Sequence, residues 1–241
     1  MNLQLFGSAI LNNLMCGRFR LSRADQLAKK FGIDEFDEVP ARYNIAPTQD
    51  VLAVRQRPER PGRYASILRW GLIPYWAKDP SIGNRLINAR TETVAGKPAF
   101  REALVRRRCI IPCDGFYEWK KEGKQKRPFC ITVDDGSLFG MAGLWERWKA
   151  ADGKLLESCT ILTTPPNPLV AELHDRMPAI LPEDAYELWL DPGFGNVAAL
   201  RDLLQPFDVR RMGKYEVSTR VNRVENDDPA CAEAVAPLSL F

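Results

Sequence analysis

Histidine is almost absent from this chain, since His174 is the only one among its 241 residues. Six cysteines are present, but no CxxC pair occurs among them. Cys109 and Cys113 stand four positions apart, yet only one histidine, far along the chain, could complete a zinc site with them. The sequence therefore disfavours a structural zinc site, and any reaction step that needs an imidazole must use His174.

Long hydrophobic runs and a strong excess of charge are also missing. The apolar segment 1–14 is too short to span a bilayer, and it carries neither a preceding basic residue nor a small-residue cleavage site. Cys109, Cys130 and Cys159 lie inside apolar, strand-like runs, which is typical of buried free thiols in a reducing compartment. We therefore expect a cytoplasmic protein without a membrane partner. The net charge of +3 does not by itself indicate nucleic acid, because a DNA-binding surface needs its positive charge concentrated in one place.

Apolar runs separated by turn residues fill the middle of the chain and predict a set of β-strands. These runs cover residues 109–112, 116–119, 128–133, 138–145 and 156–163. The charged segment 120–127 predicts a hairpin that turns at Gly123, and its charge run is more typical of a solvated turn than of a DNA site. Three short helices are predicted at 168–173, 182–190 and 197–203, followed by a last strand pair at 208–211 and 215–218.

Two regions in the first half of the chain complete the predicted architecture. Ser22 and Asp25 resemble a capping box, which predicts a helix over residues 23–31 that ends at Gly32. Segment 71–98 has little periodicity and predicts a long ordered loop, and such loops are more often functional than idle. No repeat, linker or heptad pattern appears. The sequence predicts one monomeric α+β domain with a substantial antiparallel sheet.

Cys16 directly follows Met15 in the segment MCGRF. If translation starts at Met15, we expect Met15 to be removed because cysteine is small, which leaves a free amine and a thiol on adjacent carbons of Cys16. An N-terminal amine has a pKa of ~7.7–8.0, so a fraction is neutral near pH 7 and can form an imine with an aldehyde. The thiolate can then close onto the imine carbon as a thiazolidine. The alternative, a small buried residue at the start of a strand, stays open on Cys16 alone.

Three further segments combine aromatic, arginine and carboxylate side chains. They are WGLIPYW at 70–76, NARTE at 88–92 and DGFYEW at 114–119. Single-stranded nucleic acid binding requires aromatic faces for the bases and cations for the phosphates. Core packing of the aromatics and a surface role for Glu118 are the alternatives. His174 lies at a polar helix end, so both a structural and a catalytic role stay open for it.

Many ordered segments together closely resemble the SRAP family (SOS-response-associated peptidase). The matching segments are MCGRF at 15–19, RYNIAPTQ at 42–49, RWGLIPYWAKD at 69–79, NARTET at 88–93, RRCIIPCDGFYEWK at 107–120, AGLWE at 142–146, TILTTPPN at 160–167, HDRMPAIL at 174–181 and VSTRVNRVENDDP at 217–229. The resemblance implies a single α+β domain at residues 15–230, with a mainly antiparallel, barrel-like β core flanked by short helices. Residues 1–14 would be an upstream extension or a mis-called start, and residues 231–241 a C-terminal tail.

The resemblance also implies a role in the DNA damage response: covalent capture of abasic sites in single-stranded DNA, in the cytoplasm at the nucleoid. Among the implied catalytic residues, Cys16 is the nucleophile and Asn88 holds the sugar or the Cys16 amine. Glu118 is the acid, the base and the electrostatic partner of the cationic imine, and His174 transfers a proton at the sugar oxygen. The implied DNA contacts are phosphates at Arg18, Arg90 and Arg176, and bases or cleft walls at Trp70, Trp76 and Trp119. Glu118 and His174 supply the proton transfers, so no metal or other cofactor is expected.

Two other functions compete with this one. An N-terminal-nucleophile hydrolase or peptidase would use the Cys16 thiol on an amide with its own amine as base, and the family name refers to proposed self-processing. The activity class, whether peptidase, hydrolase or lyase, stays open. A passive single-strand binder would make Cys16, Glu118 and His174 dispensable. A leader that remained attached would block the Cys16 amine.

Overall fold

The structure is a computed structural model that describes residues 16–35, 37 and 39–235. The predicted extension 1–14, Met15 and residues 236–241 of the predicted tail lie outside the described residues.

The described chain is built mainly from β-strands. In chain order they are β1 (Phe19–Leu21), β2 (Ile33–Glu35), β3 (Arg42–Ile45), β4 (Asp50–Arg57), β5 (Arg60–Trp70), β6 (Asn88–Arg90), β7 (Arg108–Cys113), β8 (Gly115–Glu122), β9 (Gln125–Val133), β10 (Phe139–Lys149), β11 (Leu155–Thr164), β12 (Met177–Pro178), β13 (Ile180–Leu181) and β14 (Met212–Glu216). The α-helices are short: α1 (Leu27–Phe31), α2 (Arg101–Arg106), α3 (Pro168–Ala171), α4 (Tyr186–Leu190) and α5 (Val197–Asp202). All five strands predicted for the middle of the chain are confirmed, each a few residues longer than the apolar run that predicted it.

Five of these strands close into a barrel. β5 pairs with β4, β4 with β7, β7 with β10 and β10 with β11, all antiparallel, and β11 returns to β5 in a parallel pairing. β7 is buried along its whole length, because inward side chains fill a small barrel and other elements cover its outer face. The predicted α+β fold with a mainly antiparallel, barrel-like core flanked by short helices is confirmed.

A second sheet of five strands, in the order β14-β9-β8-β1-β3, packs against the barrel. β8 and β9 form a hairpin whose register runs from Phe116↔Ile131 to Glu122↔Gln125, and it turns at Gly123 as predicted. β1 pairs with β8 through Phe19↔Phe116. This antiparallel register carries the residues just before β1 past the middle of β8.

One hydrophobic core joins the barrel to the second sheet. Phe19 of β1 meets Trp70 of β5 edge to face, with ring centroids 5.3 Å apart, an arrangement that aromatic pairs favour. Phe116 and Ile131 of the second sheet belong to the same buried cluster as Ile110 of the barrel. Burying each such side chain contributes about 1.5–3 kcal/mol. The sheet that carries the start of the chain is therefore held firmly on the barrel.

The capping box predicted at Ser22 and Asp25 is wrong, although the helix end predicted at Gly32 is confirmed. The Ser22 hydroxyl donates to Asp114 at 2.9 Å, and the backbone N–H groups of Ser22 and Arg23 donate to the same carboxylate. Asp114 is fully buried, and a buried carboxylate needs several donors to offset its desolvation. The helix therefore begins as a 3-10 turn before α1, and Gly32 ends it with φ at 60°.

The first member of the predicted late strand pair is also wrong. Asp208 accepts the N–H of Arg210 at 3.0 Å and caps a 3-10 turn, Val209–Arg211. Short polar side chains that bond their own backbone favour turns over strands. The chain then enters β14, which pairs with β9.

The described start of the predicted C-terminal tail packs on the domain. Cys231 is buried in a small cluster with Tyr117 and Val221. The N–H of Val235 donates to the carbonyl of Glu216 at 2.9 Å. Residues 231–235 therefore pack beside the second sheet and are part of the domain.

Candidate active site

Cys16 and Glu118 meet at the point where the chain enters β1. The backbone nitrogen of Cys16 donates to Oε1 of Glu118 at 3.0 Å, and the Cys16 thiol also bonds this carboxyl group. Both residues are less than 5% exposed: 4% for Cys16 and 3% for Glu118. The predicted partnership between these two residues thus has a direct geometric basis, since one carboxyl group contacts both reactive atoms of Cys16.

The backbone at Cys16 is in an unusual conformation. Its φ is 40°, in the left-handed region that residues with a side chain seldom adopt. Such conformations are costly and persist only where the surroundings enforce them, often at functional sites. Here the hydrogen bond to Glu118 and the burial of the side chain provide that enforcement.

Burial shifts the titration of both groups. The pKa of Glu118 rises from its ordinary value of 4.5 to about 8, mainly because burial penalises the charged carboxylate. The hydrogen bonds from Cys16 lower this pKa in part, and the charge of Asp175 raises it further. Glu118 is therefore largely a neutral acid near pH 7, able to donate a proton. Burial also raises the pKa of the Cys16 thiol, and the nearby Glu118 adds to this, whereas the charge of Arg176 lowers it.

Two neighbours face Nδ1 of His174. The backbone N–H of Arg176 donates to it at 3.1 Å, and the Asp175 carboxylate accepts there when the ring is protonated. Burial lowers the pKa of His174, while Asp175, whose Oδ1 lies 2.9 Å from Nδ1, raises it. Near neutral pH the ring is therefore mainly neutral and able to accept a proton.

Asn88 and Arg90 lie on β6, beside the C-terminal end of β11. The strand β12, which follows His174 in the chain, pairs with the same end. β6 pairs with β11 in parallel, from Ile161↔Asn88 to Thr163↔Arg90, and β12 pairs with β11 on its other side at Thr163 and Thr164. Asn88 is half-buried and Arg90 is exposed. The predicted loop 71–98 thus contains a short strand that carries two of the predicted site residues.

Arg176 is held by an acidic partner. Its two terminal nitrogens bond the two carboxylate oxygens of Glu92, with Nη2 and Oε2 2.8 Å apart, and Nη2 also donates to the carbonyl of Thr163. The Arg176 side chain is 9% exposed and that of Glu92 is 44% exposed. The predicted phosphate ligand is therefore engaged by a carboxylate in this structure.

Arg18 and Trp119 form part of a network with the C-terminal segment. Nη1 of Arg18 donates to Oδ1 of Asn44 at 2.7 Å and to the carbonyl of Val221 at 2.8 Å. Its guanidinium lies 5.8 Å from the centre of the Trp119 ring, and the Trp119 indole donates to Asn222 at 2.7 Å. Arg18 is 6% exposed, so its main contacts here are internal.

The predicted tryptophans differ sharply in exposure. Trp70 is fully buried against Phe19, and its indole donates to the carbonyl of Ile87 at 2.9 Å. It presents no face to a DNA base in this conformation and packs in the core. Trp76 is 48% exposed and its neighbour Tyr75 is 57% exposed. Of these three aromatic side chains, the last two are open to a ligand.

Comparisons with known proteins identify the family. The family model of SOS response associated peptidase (SRAP) matches residues 15–224. The chain belongs to the SRAP family. It is 45% identical over 225 residues to the abasic site processing protein YoqW of Bacillus subtilis, covering 91% of this chain and 100% of that protein. It is also 32% identical over 196 residues to the abasic site processing protein HMCES of Xenopus tropicalis, covering 72% of this chain and 58% of the relative.

Solved structures show the same fold. A protein from Bacteroides thetaiotaomicron superposes with a TM-score of 0.83 at 29% identity, covering 92% of this chain and 100% of that chain. A protein from Bordetella bronchiseptica gives a TM-score of 0.73 at 32% identity, covering 84% of this chain and 100% of that chain. The SRAP fold is thus shared along nearly the whole domain.

Three partners in this SRAP site were not predicted from sequence. Glu92 binds Arg176, Asn44 binds Arg18, and Asp175 lies close enough to shift the pKa values of Cys16 and Glu118. All three stand inside family-like motifs, which was the available signal. Pairing them required the fold, because Glu92 and Arg176 are 84 positions apart.

The described part of the SRAP chain contains no cluster of three or more His, Cys, Asp or Glu side chains arranged to hold a metal ion. None of its helices has both the length and the apolar character needed to cross a membrane.

Proposed function

We propose that this chain processes abasic sites in single-stranded DNA by capturing them as a thiazolidine on Cys16, once Cys16 is the N-terminal residue. The observation that carries the proposal is the contact of one buried, largely protonated carboxyl group, Glu118, with both the nitrogen and the thiol of Cys16. The names of the relatives, abasic site processing proteins, support the same substrate.

The proposed reaction joins three functional groups and releases water. The neutral Cys16 amine attacks the aldehyde carbon of the ring-opened sugar, and the resulting carbinolamine loses its hydroxyl as water to give the imine. The Cys16 sulfur then adds to the imine carbon, and the nitrogen electron pair of the former double bond takes up a proton. Aldehyde and aminothiol thus give thiazolidine and water, with no change in oxidation state.

Glu118 is the proposed general acid and base. As a neutral acid it donates a proton to the departing hydroxyl, and the carboxylate that results stabilises the iminium cation beside it. It can then accept the thiol proton as the sulfur attacks. Such cycling requires a pKa near the working pH, which the burial of Glu118 supports.

His174 and Asn88 are proposed to act on the sugar. The abasic sugar is mainly a closed ring, so its ring oxygen must gain a proton as the aldehyde forms. Neutral His174, favoured by its lowered pKa, is proposed to accept the proton of the C1 hydroxyl as the aldehyde forms, and the resulting imidazolium to return a proton to the ring oxygen. Asn88, at the start of β6, would hold the sugar or the Cys16 amine.

Arg90, Trp76 and Tyr75 form the proposed exposed DNA contacts, with Arg18 and Arg176 as phosphate ligands nearer the reaction centre. Arg90→Ala should weaken binding to single strands of any sequence and flatten the dependence of log K on log salt by about 0.7 for a lost phosphate contact. Fluorescence anisotropy across a salt series measures this slope. Arg106→Ala, which removes an exposed arginine from α2, is the matched control, and an unchanged slope for Arg90→Ala would remove Arg90 from the phosphate ligands.

The decisive experiment compares two purified proteins, one starting at Met1 and one at Met15. Each is mixed with a single-stranded oligonucleotide that bears one abasic site, then analysed on a denaturing gel and by intact mass. We expect the Met15 form to lose Met15 and shift with DNA attached, and the Met1 form to stay free because a peptide bond blocks the amine. An equal shift of the Met1 form with residues 1–15 lost would support self-processing, whereas no shift of either form would contradict covalent capture.

A further inference from the structure

The Glu92 carboxylate binds the guanidinium of Arg176 with the geometry that a phosphate would use. Both oxygens of Glu92 bond the two terminal nitrogens of Arg176, the bidentate geometry with which arginine binds carboxylates and phosphates alike. Hydrogen bonds from Arg176 lower the pKa of Glu92, so its negative charge is present at neutral pH. The pair is therefore a salt bridge at the edge of the proposed DNA site.

The two members of this pair are unequally exposed. The Arg176 side chain is 9% exposed, and its Nη2 is also anchored to the carbonyl of Thr163. The Glu92 side chain is 44% exposed. Besides Arg176 it is bonded by its own backbone N–H and, at 3.5 Å, by the Thr91 hydroxyl. The cation is thus fixed in the protein, while the carboxylate on its outer side is in contact with solvent.

Arg176 also lies where a backbone phosphate of a captured strand must come. It bonds the carbonyl of Thr163, the residue of β11 that pairs with Arg90, and its charge also lowers the pKa of the Cys16 thiol. The phosphates on either side of that sugar are joined to it through single oxygen atoms. A strand that reacts with Cys16 therefore brings a phosphate near Arg176, where Glu92 already occupies the guanidinium.

We propose that Glu92 is an exchangeable counter-ion that covers Arg176 in the free protein and yields it to a DNA phosphate, and that Glu92 thereby lowers affinity for undamaged strands. This inference rests on the proposed function, since it requires DNA in the site. Every strand must displace Glu92 to use Arg176. An abasic strand then gains a covalent bond, whereas an undamaged strand gains only the phosphate contact and dissociates. Glu92 is thus a specificity-determining residue.

The test measures binding of an undamaged single-stranded oligonucleotide to the Met15 form and its Glu92→Gln variant across a salt series. Glutamine keeps the shape and one acceptor for Arg176 but loses the charge. We expect Glu92→Gln to bind more tightly, by up to about fivefold for the removal of one partly exposed ion pair. Its log K should fall more steeply with log salt, by up to about 0.7, because no freed Glu92 carboxylate then takes up a cation as Arg176 binds the phosphate.

Three variants isolate the cause. Glu92→Asp retains the charge and should stay close to the wild-type slope. Glu187→Gln removes an equivalent charge from an exposed position on α4 and should leave the slope unchanged. In an Arg176→Gln background, Glu92→Gln should bring no gain, because the two residues act through one contact.

Two results would overturn the inference while leaving DNA capture intact. Weaker binding by Glu92→Gln would mean that Glu92 positions Arg176 for the phosphate, and an unchanged affinity would mean that Glu92 does not compete with DNA for Arg176. In both cases the Met15 form would still shift with abasic DNA on a denaturing gel. If the Met15 form neither binds the undamaged strand nor captures the abasic one, the proposed function itself fails, and this inference fails with it.

Discussion

Replacing Cys16 with alanine or serine in the chain that begins at Met15 is expected to abolish the denaturant-stable DNA adduct. Both variants keep an N-terminal amine after removal of Met15, so both can form the imine, but neither has a sulfur to close the ring. The imine hydrolyses on dilution. Adding borohydride should therefore restore a stable adduct with each variant by reducing the imine, whereas Cys16 itself needs no reductant. Denaturing gels with and without borohydride measure the difference.

Another buried cysteine provides the control for this experiment. Cys109→Ala removes a fully buried thiol from β7, in the barrel, and should leave DNA capture intact. Non-covalent binding of undamaged DNA should be nearly equal in all these variants. A denaturant-stable adduct formed by Cys16→Ala without reductant would contradict the thiazolidine mechanism and favour another nucleophile.

Glu118→Gln should slow DNA capture and at the same time stabilise the fold. Loss of the acid and base should slow adduct formation by about 10²–10⁴-fold, with non-covalent DNA affinity nearly unchanged. The same variant should raise the stability of the fold at neutral and alkaline pH, because it removes a carboxyl group that is costly to ionise in its buried position. Quenched-time gels measure the rate, and chemical unfolding at several pH values measures the stability.

The sign of the pH effect follows from the direction of the Glu118 shift. In the chain that begins at Met1, whose Cys16 nitrogen is an amide, the pKa of Glu118 is about 8 against an ordinary 4.5, so folding favours the protonated form and stability is measured on this chain. The contribution of Glu118 to stability is complete below pH 4.5 and is lost as the pH rises to about 8, by at most about 1.4 kcal/mol per pH unit. The advantage of Glu118→Gln over the wild type should therefore grow between pH 5 and 8 and then level off.

Glu122→Gln is the matched control for both effects. It makes the same change on the same strand, at an exposed position where Glu122 pairs with Arg127. It should alter neither the rate of capture nor the slope of stability against pH between pH 5 and 8, because the pKa of Glu122 lies below its ordinary 4.5. If Glu118→Gln lowered DNA affinity and capture by the same factor, Glu118 would be a structural residue and not the proposed acid.

The sequence predicted local structure best where a short-range pattern was sufficient. The alternation and apolar runs of β7 to β11 predicted their strands, and Gly123 and Gly32 predicted a turn and a helix end, because their positive φ values of 61° and 60° suit glycine. The same local reasoning was wrong for Ser22. Its capping role was overridden by Asp114, a buried carboxylate 92 positions away that recruits the same hydroxyl.

Site chemistry divides in the same way. The sequence by itself determined which groups are available: one imidazole, a cysteine that can become N-terminal, and motifs whose order along the chain is that of the SRAP family. It could not determine what each group faces. That Glu118 is buried against Cys16, that Arg176 carries Glu92, and that Trp70 is a core residue were decided only by the tertiary structure. The reason is physical: residue type follows from the chain, whereas burial, pKa and pairing depend on neighbours brought in from distant strands.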